Sequence, residues 1–149
     1  MQLASIQPRG LWINMLTMLP NAAFRPLPQR PRQSNTNATA QIQRLPDKSF
    51  RCWLTLQVQA GASLADLPYF VGMQVMADFV AFEAPGPDES VITRSVCHNG
   101  LAMLYGFARD TLLNLTTSAL NGPLLLPAVN LTDLAEQLQR SVEQIQPSA

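Results

Sequence analysis

Charge is the scarcest commodity in this sequence. Asp, Glu, Lys and Arg together make up 13% of its 149 residues, ten acids against ten bases, where folded domains average about 25%. A balanced charge this sparse produces no field that would draw the chain to nucleic acid or to an anionic membrane. Four arginines, at 25, 30, 32 and 44, fall in or beside a Pro-rich stretch. They lack the interleaved aromatics of a nucleic-acid arm, so no nucleic-acid partner is expected. Cysteine is nearly absent: Cys52 and Cys97 are too few for a disulfide scaffold. They read as reduced thiols, a single bridge being the alternative. His98 is the lone histidine, and a metal site needs three or four ligands at suitable spacing. There is no G-x-S-x-G and no phosphate-cradling glycine loop. The acids are scattered. The chain therefore reads as a non-enzyme that needs no cofactor and no metal. No apolar run approaches the ~20 residues of a spanning helix, and the N-terminus shows no basic segment, apolar run and small-residue cleavage site in series. A cytoplasmic protein without membrane insertion is the expectation.

What is present is apolar: 47% of the residues are hydrophobic. With so little charge to clothe them, some must lie in exposed patches or under a partner, and large exposed patches mark interaction sites. The pattern predicts one α+β domain over 1–149, with a sheet region over 1–83 and helices over 90–120 and 130–146. Residues 2–16 alternate imperfectly. Leu11, Ile13 and Met15 share one face and Trp12 and Leu16 the other, while Pro8 and Gly10 demand an edge position or a bulge. Residues 21–37, rich in Pro, Arg, Asn and Gln, make a poor strand and suit a long crossover or an irregular edge. Phe50, Cys52, Leu54, Leu56 and Val58 then alternate with Arg51, Trp53, Thr55, Gln57 and Gln59, the period of a half-buried antiparallel strand. From Tyr69 to Phe82 both faces are largely apolar, which predicts a sheet covered on both sides. Leu104, Phe107, Ala108, Leu112, Leu115 and Ala119, with Ala102, give the first helix its apolar positions. Asn121-Gly122-Pro123 stops it. Asn130 stands where it would cap a second helix carrying Leu131, Leu134, Leu138, Val142 and Ile145 at helical spacing, with Asp133 favouring its positive end.

Two short elements then resemble a known family. Leu104-Tyr-Gly-Phe-Ala-Arg-Asp110, followed by Leu126-Pro-Ala-Val-Asn-Leu-Thr-Asp-Leu134, is similar to the C-terminal half of the SecB export-chaperone family. There an aromatic-Ala-Arg-acid element lies on the long helix, and a Pro-Val-Asn element opens the last one. Tyr69–Phe82 resembles the family's long strand, and residues 2–6 its first strand. The resemblance implies a four-stranded antiparallel sheet packed by two C-terminal helices. It also implies a homotetramer built as a dimer of dimers, and exposed apolar grooves that bind unfolded or non-native polypeptides without nucleotide or metal. Partners implied in addition are the translocase motor SecA or, for SecB-like chaperones of toxin–antitoxin systems, one antitoxin. The even charge balance departs from the acidic surface that serves SecA docking.

A client-binding surface is expected from three segments. These are Met15, Leu16, Met18 and Leu19 leaving the first strand; Leu124, Leu125 and Leu126 between the helices; and Leu131, Leu134 and Leu138 on the second helix. Promiscuous surfaces favour such adaptable residues. Trp12 and Trp53 either floor this groove or belong to the core. Arg109 and Asn130 are expected to be structural, Arg109 by finding an acid or carbonyl inside the assembly and Asn130 as a helix cap.

Overall fold

The computed structural model describes residues 6–25, 34–60, 64–81, 89–126 and 130–145. Period-two patterning decides its centre. In β3 (Phe50–Ala60) and β4 (Tyr69–Ala81) every second side chain is buried: Phe50, Cys52, Leu54, Leu56 and Val58 on one, Tyr69, Val71, Met73, Val75, Ala77 and Phe79 on the other. The two strands pair antiparallel with Leu54 opposite Val75 and Leu56 opposite Met73, so large apolar side chains meet across the ladder. β1 (Ile6–Pro20) and β2 (Ser34–Arg44) flank this pair in a four-stranded antiparallel sheet of order β1-β4-β3-β2.

β1 is an edge strand with register shifts after Pro8 and after Ile13, as a proline without an N–H requires. The second shift changes which residues face where. Asn14 is the extra residue, and its side-chain amide donates to Gln74 Oε1. Leu11 and Ile13 lie opposite the inward Ala77 and Val75, whereas Met15 lies opposite the outward Gln74. Strict alternation would have put Met15 with Leu11 and Ile13; the bulge turns it to the other face. Met15–Leu19 also stay in the ladder, opposite Phe70–Gln74, rather than leaving it for a crossover. The first residues of β2 fall within the stretch 21–37, whose composition suggested a crossover or irregular edge, and Thr36, Ala38, Ala40 and Ile42 line up with the inward residues of β3. Alternation of small residues suffices on a strand whose neighbour supplies the bulk.

The helices cover one face of the sheet. The helix expected over 90–120 is α1 (Glu89–Ser95), a π turn (Val96–Gly100) and α2 (Leu101–Thr116) in one run. The widened turn sits where Gly100 passes under Phe79. A Cβ there would stand 3.0 Å from the ring, so any larger residue requires the ring to give way by a few tenths of an ångström. α2 buries Leu101, Leu104, Tyr105, Ala108, Leu112 and Thr116; Ala102 and Leu115 are exposed instead. It ends earlier than expected, where the Thr116 hydroxyl, donating to the Leu112 carbonyl at 2.6 Å, also accepts the Leu124 N–H at 2.7 Å and so ties the linker back onto the last turn. Gly122 then takes a left-handed φ of +79°. α3 (Thr132–Ile145) adds Ala135 and Leu138 to the core. The sheet was expected to be covered on both sides, but no described helix lies on its second face, where Trp12, Met15, Leu19 and Phe70 are exposed.

Candidate functional site

Two concave surfaces stand out among the described residues. The first lies between β2 and α3. Thr36 and Ala38 form its floor, Leu131 and Leu134 its far wall, and Tyr105, Asn130, Asp133 and Gln137 its rim, around a cavity of about 280 Å3. Its position follows from the sequence of β2, where alanine and threonine leave room that bulkier residues would fill. Thr36 Oγ1 is buried there and has no hydrogen-bond partner among the described residues. The Asn130 side-chain oxygen accepts the Thr132 N–H at 2.9 Å, fixing the start of α3 and with it the wall. Burial raises the Tyr105 hydroxyl above the usual tyrosine range, against the pull of Arg109, so it stays a neutral donor.

The second surface is the outer face of the sheet. Trp12, Met76 and Trp53 stand in one row across β1, β4 and β3. Below them the Gln74 amide donates to Thr55 Oγ1 at 3.0 Å and accepts from Asn14, a cross-strand chain that satisfies the polar groups between apolar neighbours. Next comes a trough of about 310 Å3 at Gly72, bounded by Thr17, Leu19, Gln57 and Phe70. The other end is closed by Arg51, which donates to both carboxylate oxygens of the buried Asp78 at 2.8 and 3.1 Å. A bidentate pair of this kind is rigid as well as strong.

The residues expected to form a client-binding surface are dispersed. Trp12, Met15 and Leu19 are exposed on the outer face, with Trp53 half-buried beside them. Leu16 and Met18 are half-buried on the helix side. Leu131 and Leu134 face the cleft. The interhelix linker divides within itself: Leu125 is 57% exposed, but Leu124 and Leu126 are 3% and 0% exposed. Leu138 is core as well. Leu124, Leu126 and Leu138 thus serve as packing rather than as accessible surface, a correction to the expected stripe. The reason is that an extended linker also alternates, and the inward member of each helix turn is claimed by the sheet. Thr36, Ala38, Tyr105 and Gln137 were not legible because the cleft exists only once β2 packs under α3; Phe70 was legible only as lying on the face opposite Tyr69.

Cys52 and Cys97 are both buried thiols outside any disulfide. Burial, then the neighbouring Cys97, pushes the Cys52 thiol far above the usual range, where it is a poor thiolate donor. Among the described residues no three His, Cys, Asp or Glu side chains gather to hold a metal, and no helix is long and apolar enough to cross a membrane.

No protein-family model matches this chain, and no curated protein matches it by sequence. Solved structures do. The Mycobacterium tuberculosis SecB-like chaperone Rv1957, solved in complex with a ChAD peptide from the Rv1956 HigA1 antitoxin, is similar with a TM-score of 0.60 and 18% identity, over 84% of this chain and 91% of that one. A Streptococcus agalactiae protein of unknown function is similar with a TM-score of 0.48 and 14% identity, over 85% and 100%. At that likeness to the first of these, the four-stranded antiparallel sheet with its C-terminal helices is an α+β architecture of SecB-like fold.

Proposed function

We propose that this protein is a cytoplasmic SecB-like chaperone that holds non-native polypeptide on exposed apolar surface. The observation that carries the reading is the cleft between β2 and α3, lined by Ala38, Leu131 and Leu134, with the exposed Leu125 on the linker that leads into α3. An unfolded segment offers irregular apolar side chains, which such a surface meets without a shaped lock. The SecB-like neighbour is bound to an antitoxin peptide, which favours a dedicated partner of that kind over delivery to SecA. The even charge balance points the same way.

Assembly into a dimer of dimers belongs to this reading. β1 supplies one surface. From Gly10 to Leu19 it carries no charged residue, and Leu11 and Ile13 remain 37% and 45% exposed on the side the helices should cover. A long apolar edge without charge is a template for another strand. α2 supplies a second. Arg109 Nε is buried there and finds no partner among the described residues, so the acid or carbonyl it needs would come from another copy.

The test is binding of reduced, carboxymethylated α-lactalbumin, a permanently unfolded chain. Wild type should bind it, and Leu125→Ser and Leu134→Ser should each weaken binding by about tenfold, the scale of one leucine withdrawn from an apolar contact. Their light-scattering mass should match wild type. A wild type that ignores the probe, or variants that lose binding only together with assembly, would overturn the reading.

A further inference from the structure

The crossover leaving β1 and the linker leaving α2 are far apart in sequence yet share one set of hydrogen bonds. Asn21, directly after β1, is buried. Its backbone N–H donates to Pro68 O at 3.0 Å. Its side-chain amide donates to Leu64 O and Leu67 O at 2.8 and 2.7 Å, and its side-chain oxygen accepts the Ala23 N–H at 3.0 Å. Arg25 N–H donates to Ala65 O at 2.9 Å, so residues 21–25 lie fastened along the 3-10 turn Leu64–Asp66. Asn121 approaches the same spot from the other side. Its amide donates to Pro68 O at 2.7 Å and to Asn21 O at 3.2 Å, across 100 positions of sequence. Its backbone N–H donates to the Tyr69 hydroxyl at 2.9 Å, and that hydroxyl donates to Gly122 O at 2.8 Å.

Loop backbone must be satisfied somewhere, and side-chain caps at each loop root would do so separately. Here the Pro68 carbonyl accepts from both loops at once. The roots are therefore fixed to each other and not merely to the sheet. Beyond one root the linker carries the exposed Leu125, on the path to the wall of the cleft.

We propose that Asn21, Tyr69 and Asn121 are positioning residues that set the spacing between the crossover and the interhelix linker, and through it the affinity for client chains. The role rests on the chaperone reading above. Loss of the clamp should free both roots while leaving β3 and β4 in place, because local opening need not breach the core.

The experiment compares Asn121→Ala and Tyr69→Phe with Val75→Ala, a core truncation away from the clamp, in the full chain. Affinity for reduced, carboxymethylated α-lactalbumin is read beside amide exchange and the midpoint of thermal unfolding. The clamp variants should bind about three- to tenfold more weakly. In Asn121→Ala, exchange should quicken at residues 22–25 as well as at 122–126, with β3 and β4 still protected. Val75→Ala, at a comparable loss of thermal midpoint, should bind as wild type does. If binding instead tracks the thermal midpoint across all three variants, or if exchange at 22–25 ignores Asn121, the clamp is structural only and the proposal falls. A wild type that fails to bind the probe would sink the chaperone reading and this role with it; a binding wild type with unaffected clamp variants would sink this role alone.

Discussion

The two edges of the sheet are built on opposite plans. β1 presents Leu11, Trp12, Ile13, Met15 and Leu19 to the surroundings and carries no charge between Arg9 and Pro20. β2 turns Asn37, Thr39, Gln41 and Gln43 outward, and its inward side is roofed by α3. Natural sheets guard an unpaired edge with charge, proline, bulges or a covering element. β2 has a cover. β1 has a proline and two register shifts at its start and middle, but from Met15 to Leu19 its pairing with β4 is regular and its free side is unguarded. The difference teaches that one sheet can turn polar side chains outward along one edge strand, beneath a helix, and leave apolar side chains exposed along the other.

The largest effect should come from placing a charge on each edge in turn. Ile13→Lys should cut the light-scattering mass by about half, since a lysine at an edge opposes strand addition. Thr39→Lys should leave the mass unchanged. Dissociation by the β2 variant alone would reverse the comparison. A smaller effect concerns the cover of β2. Asn130→Ala removes the acceptor for the Thr132 N–H and should lower stability by about 1 kcal/mol in denaturant unfolding. An unchanged midpoint with a lost binding activity would show that Asn130 contacts client instead. The smallest effect joins the two edges. Arg9 of β1 donates to Asp47 in the β2–β3 turn at 2.9 Å, and the Ser49 hydroxyl and N–H donate to the same carboxylate. The Ser49 bonds, with Arg9 behind them, lower the Asp47 carboxyl from its ordinary 3.8 to about 2. A lowered carboxyl contributes stability that is present above its ordinary value and is lost as pH falls toward the folded one. A small decline between pH 4 and pH 2 should therefore vanish in Asp47→Asn; its persistence there would assign the acid sensitivity to another carboxylate.

How much of this was legible depends on how local the signal is. β3 announced itself because alternation over ten residues is long enough to fix both element and face; β4 was legible as a long strand, but with both faces apolar its inward face was not. β1 was legible as an edge from Pro8, but the bulge at Asn14 was not, since a single extra residue leaves no mark on composition and shows only in pairing with Gln74. β2 escaped because Ser34–Arg44 has no aromatic residue and only three β-branched ones among Asn, Gln and Ala; its partner β3 and the helix above it make it a strand. For the site, the three apolar segments were legible as apolar. Which of them are accessible was not: Leu125 and Leu126 are neighbours in a run of leucines, and only the direction of the linker separates surface from core.

The sequence alone determined that this protein carries little charge, gathers no metal or nucleophile motif, and orders strands before helices, because composition and hydrophobic period are properties of the chain itself. Tertiary structure decided that every described helix packs on the same face of the sheet, that β2 is roofed by α3 while apolar residues of β1 are exposed, and that Asn21 and Asn121 meet at one carbonyl. Each of those outcomes depends on which distant segment arrives as neighbour, and no local pattern encodes the arrival.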